Sequence, residues 1–146
     1  MINHVWSLLC QHTLTDKDTN IVSIQCILEQ VVIFASPIPG GVLPIHAELT
    51  SLWVRGKIND PESGQYRVTF STPSDKTTIV AEPPIDLSKV ERLRSRIIFE
   101  QLPIEEEGRH LFIVELKKNG EWLVVANIPL LILFSAHEEI KSTVEE

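Results

Sequence analysis

The chain has 146 residues, of which 43% are hydrophobic, and its 13 basic and 20 acidic residues give a formal net charge of −7. This length suits one domain that buries a core without metal or disulfide cross-links, and the acidic balance argues against nucleic-acid binding as the main activity. No apolar run reaches the roughly 18 to 20 residues of a membrane helix, and residues 1–6 lack the features of a signal peptide. We therefore expect a cytoplasmic protein that does not enter a membrane.

Two N-terminal segments alternate apolar and polar residues on either side of a polar turn at residues 15–20. A period of two is typical of half-buried strands, so we expect the chain to open with a β-hairpin. The residues predicted to share its core face are Trp6, Leu8, Cys10 and Leu14 on the first strand, and Val22, Ile24, Cys26, Leu28, Val32 and Phe34 on the second.

Further strands follow the same pattern. Residues 45–53 place Ala47, Leu49 and Trp53 on one face, and residues 66–70 alternate in the same way. Residues 111–116 and 122–126 meet at an Asn119-Gly120 pair, which favours the positive φ angles of a type I′ hairpin turn. With shorter apolar pieces at 79–81 and 96–102, the chain is expected to hold seven or eight strands.

One short helical turn is predicted at Ser88-Lys89-Val90-Glu91, where Ser88 and Glu91 have the spacing of a capping box. Residues 136–146 are polar and acidic, and we assign them to a C-terminal tail outside a domain that spans residues 1–135. The elements therefore follow one another as strands, with only this single turn of helix between them.

The predicted fold is an all-β, immunoglobulin-like antiparallel β-sandwich of seven to eight strands with one short helical turn. Short strands separated by turn signals, without βα alternation, favour two packed sheets, although a barrel is an alternative. Residues 106–110 open a strand in the way that an acidic-x-Gly-x-Tyr segment opens strand F of immunoglobulin-like domains. His110 takes the tyrosine position, where an imidazole can also hydrogen-bond to the backbone.

Several of these segments together resemble a family of uncharacterised bacterial proteins that carries a domain-of-unknown-function label. The resemblance extends over roughly residues 5–133 and implies an immunoglobulin-like sandwich in a bacterial cytoplasm, without transferring any catalytic residue. The segments that carry it are Leu8-Leu9-Cys10, the turn with Asp16, Asp18 and Asn20, Ser23-Ile24, Ile27-x-Glu29, and the Glu-rich segment before Gly108 with the hairpin that closes the chain.

No motif for catalysis is present in the sequence. The five histidines are scattered, and there is neither a nucleophile elbow nor a glycine-rich phosphate loop, so we predict no catalytic residue, no cofactor and no enzymatic activity. Cys10 and Cys26 are expected to face each other as reduced, buried side chains. With His12 they offer three potential zinc ligands, but the spacing of a zinc motif is absent and no metal is predicted.

Four basic residues, Lys89, Arg92, Arg94 and Arg96, lie close together in an otherwise acidic chain. They indicate a possible anionic partner, such as a phosphate, an anionic polymer or an acidic protein surface. The alternative is that they are solvated, or that they pair with the protein's own acidic residues 105–107.

Residues 128–134 lack a polar face, and Leu111 and Ile113 break the alternation of their strand. Because exposed apolar patches are typical of interaction sites, we predict that Leu111, Ile113, Leu131 and Leu133 bind a partner. The predicted function is thus a non-catalytic interaction or assembly module that forms a homo-oligomer or binds another protein. The alternatives are a small-ligand or metal-dependent site at one end of the sandwich, or binding of an anionic polymer through residues 89–96.

Overall fold

A computed structural model describes residues 1–135, which form ten β-strands and no helix. Ten strands replace the expected seven or eight because residues 22–34 form two strands and residues 84–87 add one more. The tail assigned to residues 136–146 lies outside the described residues. The strands are β1 (Asn3–Thr15), β2 (Val22–Ile27), β3 (Gln30–Ile33), β4 (Leu43–Val54), β5 (Glu62–Ser71), β6 (Thr77–Ala81), β7 (Pro84–Leu87), β8 (Arg92–Leu102), β9 (Gly108–Lys118) and β10 (Glu121–Phe134).

The strands form two packed sheets, so the all-β sandwich is confirmed. The first sheet has the order β2-β1-β4-β8, and the second has the order β3-β10-β9-β5-β6, with β7 paired to β5. The pairings of β4 with β8 and of β9 with β5 and β10 match the B–E and C–F–G pairings of an immunoglobulin-like sandwich. The expectation of wholly antiparallel sheets is wrong at one place, because β3 runs parallel to β10.

The core lies between the two sheets. As predicted, Ala47, Leu49 and Trp53 of β4 are buried there. The opposite wall comes from the inward residues of β5, β9 and β10. These are Tyr66, Val68, Phe70, Phe112, Val114, Leu116, Leu130 and Ile132, and all of them are buried. Strict alternation on these strands leaves the intervening side chains on the outer face of each sheet.

The first hairpin differs from its prediction. On β1 it is Leu9, paired with Leu49 of β4, that enters the core, whereas Leu14 is 54% exposed. Cys10 is also buried, on the opposite face, so the apolar run Leu8-Leu9-Cys10 is covered on both sides and alternation does not identify its core face. The continuous strand expected over residues 22–34 is likewise wrong, since β2 ends at Ile27, just after Cys26, whose φ is 56°, and the chain continues as β3 in the other sheet.

The helical turn predicted at residues 88–91 is absent, and these residues form the bend between β7 and β8. The Asp86 carboxylate accepts hydrogen bonds from the Ser88 amide at 2.9 Å and from its hydroxyl at 2.6 Å, so that hydroxyl does not cap a helix. The Arg55 guanidinium donates to the carbonyl oxygens of Leu87 and Ser88. Side chains therefore satisfy the backbone of this bend.

Two local predictions at β9 are confirmed. Asn119 and Gly120 both have positive φ, 53° and 80°, as a type I′ turn between β9 and β10 requires. His110 is fully buried, and its Nδ1–H donates to the Gly108 carbonyl at 3.1 Å, so the imidazole holds the backbone at this corner as the tyrosine does in immunoglobulin-like sandwiches.

Candidate functional site

The four residues predicted to form an interaction surface lie together on the outer face of the second sheet. Leu111 and Ile113 alternate with buried residues of β9, and Leu131 and Leu133 alternate with buried residues of β10. The register places Pro129 opposite Leu111. All four leucine and isoleucine side chains are partly exposed. We call this surface, with Pro129, Val32 and Ile79, the apolar face.

The flanks of the apolar face were not identified from the sequence. Val32 of β3, opposite Leu133, is 39% exposed, and Ile79 of β6 is 53% exposed. Thr69 and Ser71 of β5 lie between Ile79 and the β9 residues and carry no charge. Val32 lies in an unbroken apolar run, which is the sequence signal that could have indicated it. Its position beside Leu133 could not be predicted, because the pairing of β3 with β10 joins segments about a hundred residues apart.

Charged side chains lie at two places on this face. At one end the Arg67 guanidinium forms two hydrogen bonds with the Glu115 carboxylate, of 3.0 and 3.1 Å, and lies 4.4 Å from the ring centre of Trp122. Arg109 is exposed and lies directly opposite Leu131 in the register of β9 and β10. The part of the face between them, around Leu111, is uncharged.

The predicted basic segment is a strand, so its residues do not share a helical face as the helical turn implied. Arg92, Arg94 and Arg96 occupy alternate positions of β8 and lie on the outer face of the first sheet. Lys89 is exposed in the preceding bend and is separate from them. The acidic residues 105–107 do not pair with these arginines: Arg96 pairs with Glu48, and Arg94 donates to Asn20.

The end of the β1–β2 hairpin bends across this face. In a flat sheet β2 and β8 would lie at opposite edges, roughly 14 Å apart. Yet Arg94 Nη2 donates to the Asn20 carbonyl at 3.0 Å and to Asn20 Oδ1 at 2.6 Å. A cavity of about 310 Å³ lies between the hairpin and the sheet. We call it the arginine cleft, and its polar lining comprises Thr13, Thr15, Asn20, Thr50, Arg92, Arg94 and Arg96.

One acidic residue enters this region. Glu48 is 3% exposed, and both its carboxylate oxygens accept hydrogen bonds from Arg96, at 3.2 and 2.9 Å. Burial alone would raise the pKa of Glu48, but the hydrogen bond and charge of Arg96, together with the Thr13 hydroxyl and His46, outweigh it and hold the pKa below its usual range. Glu48 is therefore ionised at neutral pH and neutralises one of the three arginines.

A second cavity, of about 260 Å³, lies beside the His110 corner, where the sequence left open a small-ligand site at one end of the sandwich. Its polar groups bind one another. The Glu106 carboxylate accepts hydrogen bonds from the amide and hydroxyl of Ser74, and Lys76 pairs with Glu105 at 3.5 Å. The site therefore presents few polar groups to a ligand.

Cys10 and Cys26 do not face each other as predicted. The register places Ile27 opposite Cys10, so Cys26 is offset by one residue and is exposed, whereas Cys10 is buried. Both are free thiols. Among residues 1–135 no three His, Cys, Asp or Glu side chains are grouped so that they could hold a metal ion, and no helix is long and apolar enough to cross a membrane.

Comparison of the chain with protein-family models and with curated protein sequences finds no match. The candidate sites are therefore judged on their geometry alone.

Proposed function

We propose that the protein is a non-catalytic interaction module that self-associates by packing the apolar face of one copy against that of a second. The observation that carries the proposal is the cluster of Leu111, Ile113, Leu131 and Leu133 on one partly exposed sheet face, where Arg109 lies opposite Leu131. Burial of such a surface removes apolar area from water, which stabilises association by about 25 cal/mol per Å² before the cost of association is subtracted.

A second copy is the partner that best fits this face. Two-fold symmetry places the same patch on both sides of an interface, so the patch must be compatible with itself. Two chains of net charge −7 repel each other, and the exposed Arg109 brings a positive charge to the face. The part of the face around Leu111, Ile113 and Pro129 is uncharged, so packing there brings no like charges into contact. The Arg67–Glu115 pair at its margin contains both signs and adds no net charge.

The size of the face predicts a weak contact. The five strands lie about 4.8 Å apart and contribute about four to six residues each, at roughly 3.3 Å per residue, so the face spans roughly 24 Å by 13 to 20 Å. Two such faces bury at most about 1,000 Å² in total, which is the low end for specific interfaces and is typical of transient association.

We also propose that this module works in a cytoplasm. An exposed thiol such as that of Cys26 stays reduced in that compartment.

Sedimentation velocity over a concentration series tests the proposal. We expect the wild type to shift from monomer to dimer as its concentration rises to about 100 µM. Leu131→Asp and Leu133→Asp, made one at a time, should remain monomeric because each would bury a carboxylate in the interface. Ile27→Asp is the matched control, since Ile27 is 53% exposed on the other sheet.

A wild type that stays monomeric throughout the series would show that the proposal is wrong. Folded Leu131→Asp and Leu133→Asp variants that still form dimers would place the interface elsewhere. Circular dichroism of each variant establishes that it is folded, because both leucines are partly exposed and their replacement should leave the core intact.

A further inference from the structure

The arginine cleft gathers cationic and hydroxyl groups that neither the core nor the apolar face uses. Arg92 and Arg94 approach the cavity from β8, and the Thr13 and Thr15 hydroxyls approach it from the hairpin that bends over the sheet. These groups come from strands that are distant in sequence. Their convergence is therefore a product of the fold and not of a local basic run.

The charge of the cleft is positive in a protein that is acidic overall. Three guanidinium groups and the single carboxylate of Glu48 leave a local net charge of about +2 at neutral pH. Arg96 is paired with Glu48, Arg94 donates to the neutral Asn20, and the Arg92 guanidinium has no hydrogen bond or ion pair with any described residue. Two of the three positive charges thus have no acidic partner there.

A buried hydroxyl provides the second, independent observation. Thr50 lines the cleft, is 0% exposed, and its Oγ1 has no hydrogen-bond partner among the described residues. An unsatisfied buried hydroxyl destabilises a fold, and such groups are few in native proteins. A ligand oxygen in the cleft would give this hydroxyl an acceptor.

We propose that the arginine cleft binds a compact oxyanion, namely phosphate or the phosphate group of a small molecule. A guanidinium donates two parallel hydrogen bonds to a phosphate, which suits Arg92 and Arg94, and the Thr50 hydroxyl donates a further one. The volume of about 310 Å³ is at the small end of ligand cavities. It accommodates a phosphate with a small attached group and not an extended polymer.

Isothermal titration calorimetry at low ionic strength, with inorganic phosphate and with pyrophosphate as the probes, tests the assignment. We expect saturable binding to the wild type, weakened about tenfold in Arg92→Gln because a charge-assisted hydrogen-bond pair is lost. Arg109→Gln is the matched control, since Arg109 is an exposed arginine on the other sheet that also lacks a described partner. Its affinity should equal that of the wild type.

Variants at Thr50 and Glu48 separate a ligand role from a structural one. Thr50→Val removes the unpaired hydroxyl at nearly constant volume, so it should weaken binding several-fold while leaving the melting temperature equal or higher. Thr50→Ser keeps the hydroxyl and should keep the affinity. Glu48→Gln frees Arg96 and should strengthen binding.

Absence of binding to the wild type at millimolar phosphate and pyrophosphate would overturn the proposal, as would equal losses in Arg92→Gln and Arg109→Gln. Unchanged affinity in Thr50→Val would show that the Thr50 hydroxyl does not bind the anion. If an oligonucleotide binds more tightly than pyrophosphate, with a steep dependence on salt, the ligand of the cleft is an anionic polymer and not a small oxyanion.

Discussion

His110 is fully buried, and only one of its two ring nitrogens has a hydrogen-bond partner. Nδ1–H donates to the Gly108 carbonyl, which leaves Nε2 as an unprotonated nitrogen without a partner among the described residues. The ring also stacks on Phe70, with 5.4 Å between the ring centres. Burial lowers the pKa of His110, although the Gly108 carbonyl and the nearby charge of Glu106 act in the opposite direction. The fold therefore selects the neutral imidazole.

This depressed pKa predicts that stability falls under mildly acidic conditions. An unfolded histidine takes up a proton near pH 6.5, and the folded His110 does so only at lower pH, so the free energy of unfolding decreases as the pH falls from about 6.5 toward the folded pKa. We expect His110→Asn to lose less stability than the wild type between about pH 7.5 and 5.5. Urea denaturation at the two pH values measures the difference.

Other groups with a lowered pKa also contribute to the pH dependence of stability, and they determine the pH range in which His110 can be tested. Burial also lowers the pKa of His4, so part of the slope should remain in the variant, and His4→Gln should remove that part. The lowered pKa values of Glu48 and Glu106 act only at lower pH, as the carboxylates become protonated. Equal slopes in the wild type and in His110→Asn would show that His110 is not held neutral.

Among the strands and turns, the β9–β10 hairpin gives the clearest test of local geometry. Gly120 has φ 80° and no atom within 4 Å of the position that a Cβ would occupy, so a substitution there meets no steric contact. Gly120→Ala should therefore destabilise the fold through backbone conformation alone, by about 1 kcal/mol. Asn119→Gly should change stability little, because glycine tolerates the φ of 53° at that position. Thermal denaturation compares the two variants.

The sequence predicted the strands whose alternation reflects one buried face. Leu49 and Phe70 were placed correctly because their neighbours on the strand are polar. Leu14 was wrongly placed on the core face and Leu9 was left out of it, because β1 is covered on both sides at Leu8-Leu9-Cys10 and its alternation does not identify the core face. The crossing from β2 to β3 could not be predicted locally, since it depends on pairing with β10 at the far end of the domain.

The residues of the candidate sites also divide into those that a local sequence pattern indicates and those that only the fold brings together. The sequence indicated Leu111 and Leu131 as candidates because each lies in an unbroken apolar run, and the arginines of β8 because basic residues cluster in one short segment. It did not indicate Thr50, since nothing in its neighbourhood on β4 distinguishes it from an exposed threonine. It belongs to the arginine cleft only because β8 pairs beside it and the hairpin bends over it.

At the scale of the whole molecule, Ser95 joins the two sheets. Its hydroxyl oxygen accepts hydrogen bonds from Trp53 Nε1 at 3.1 Å and from the Tyr66 hydroxyl at 2.8 Å, and the rings of these two buried residues lie 4.7 Å apart. Trp53 belongs to the first sheet and Tyr66 to the second. One serine on β8 thus satisfies two buried donors from opposite sides of the core.

Ser95→Ala should destabilise the protein by about 2 to 4 kcal/mol, because it leaves two buried donors unpaired. Tyr66→Phe should cost less in the Ser95→Ala background than in the wild type, since its hydroxyl no longer has an acceptor there. The exposed serine variant Ser63→Ala is the control. Additive free energies of unfolding in a double-mutant cycle would contradict the shared hydrogen-bond acceptor.

The parallel pairing of β3 with β10 bears on the order in which the domain forms during synthesis. Gln30 lies beside Leu131, so β3 has no partner in its sheet until roughly a hundred further residues have been made. Contacts so distant in sequence are slow to form, whereas β1 and β2 can pair as soon as their hairpin is complete. On the ribosome, β3 therefore remains an unpaired apolar segment, accessible to chaperones, until β10 emerges and completes the sandwich.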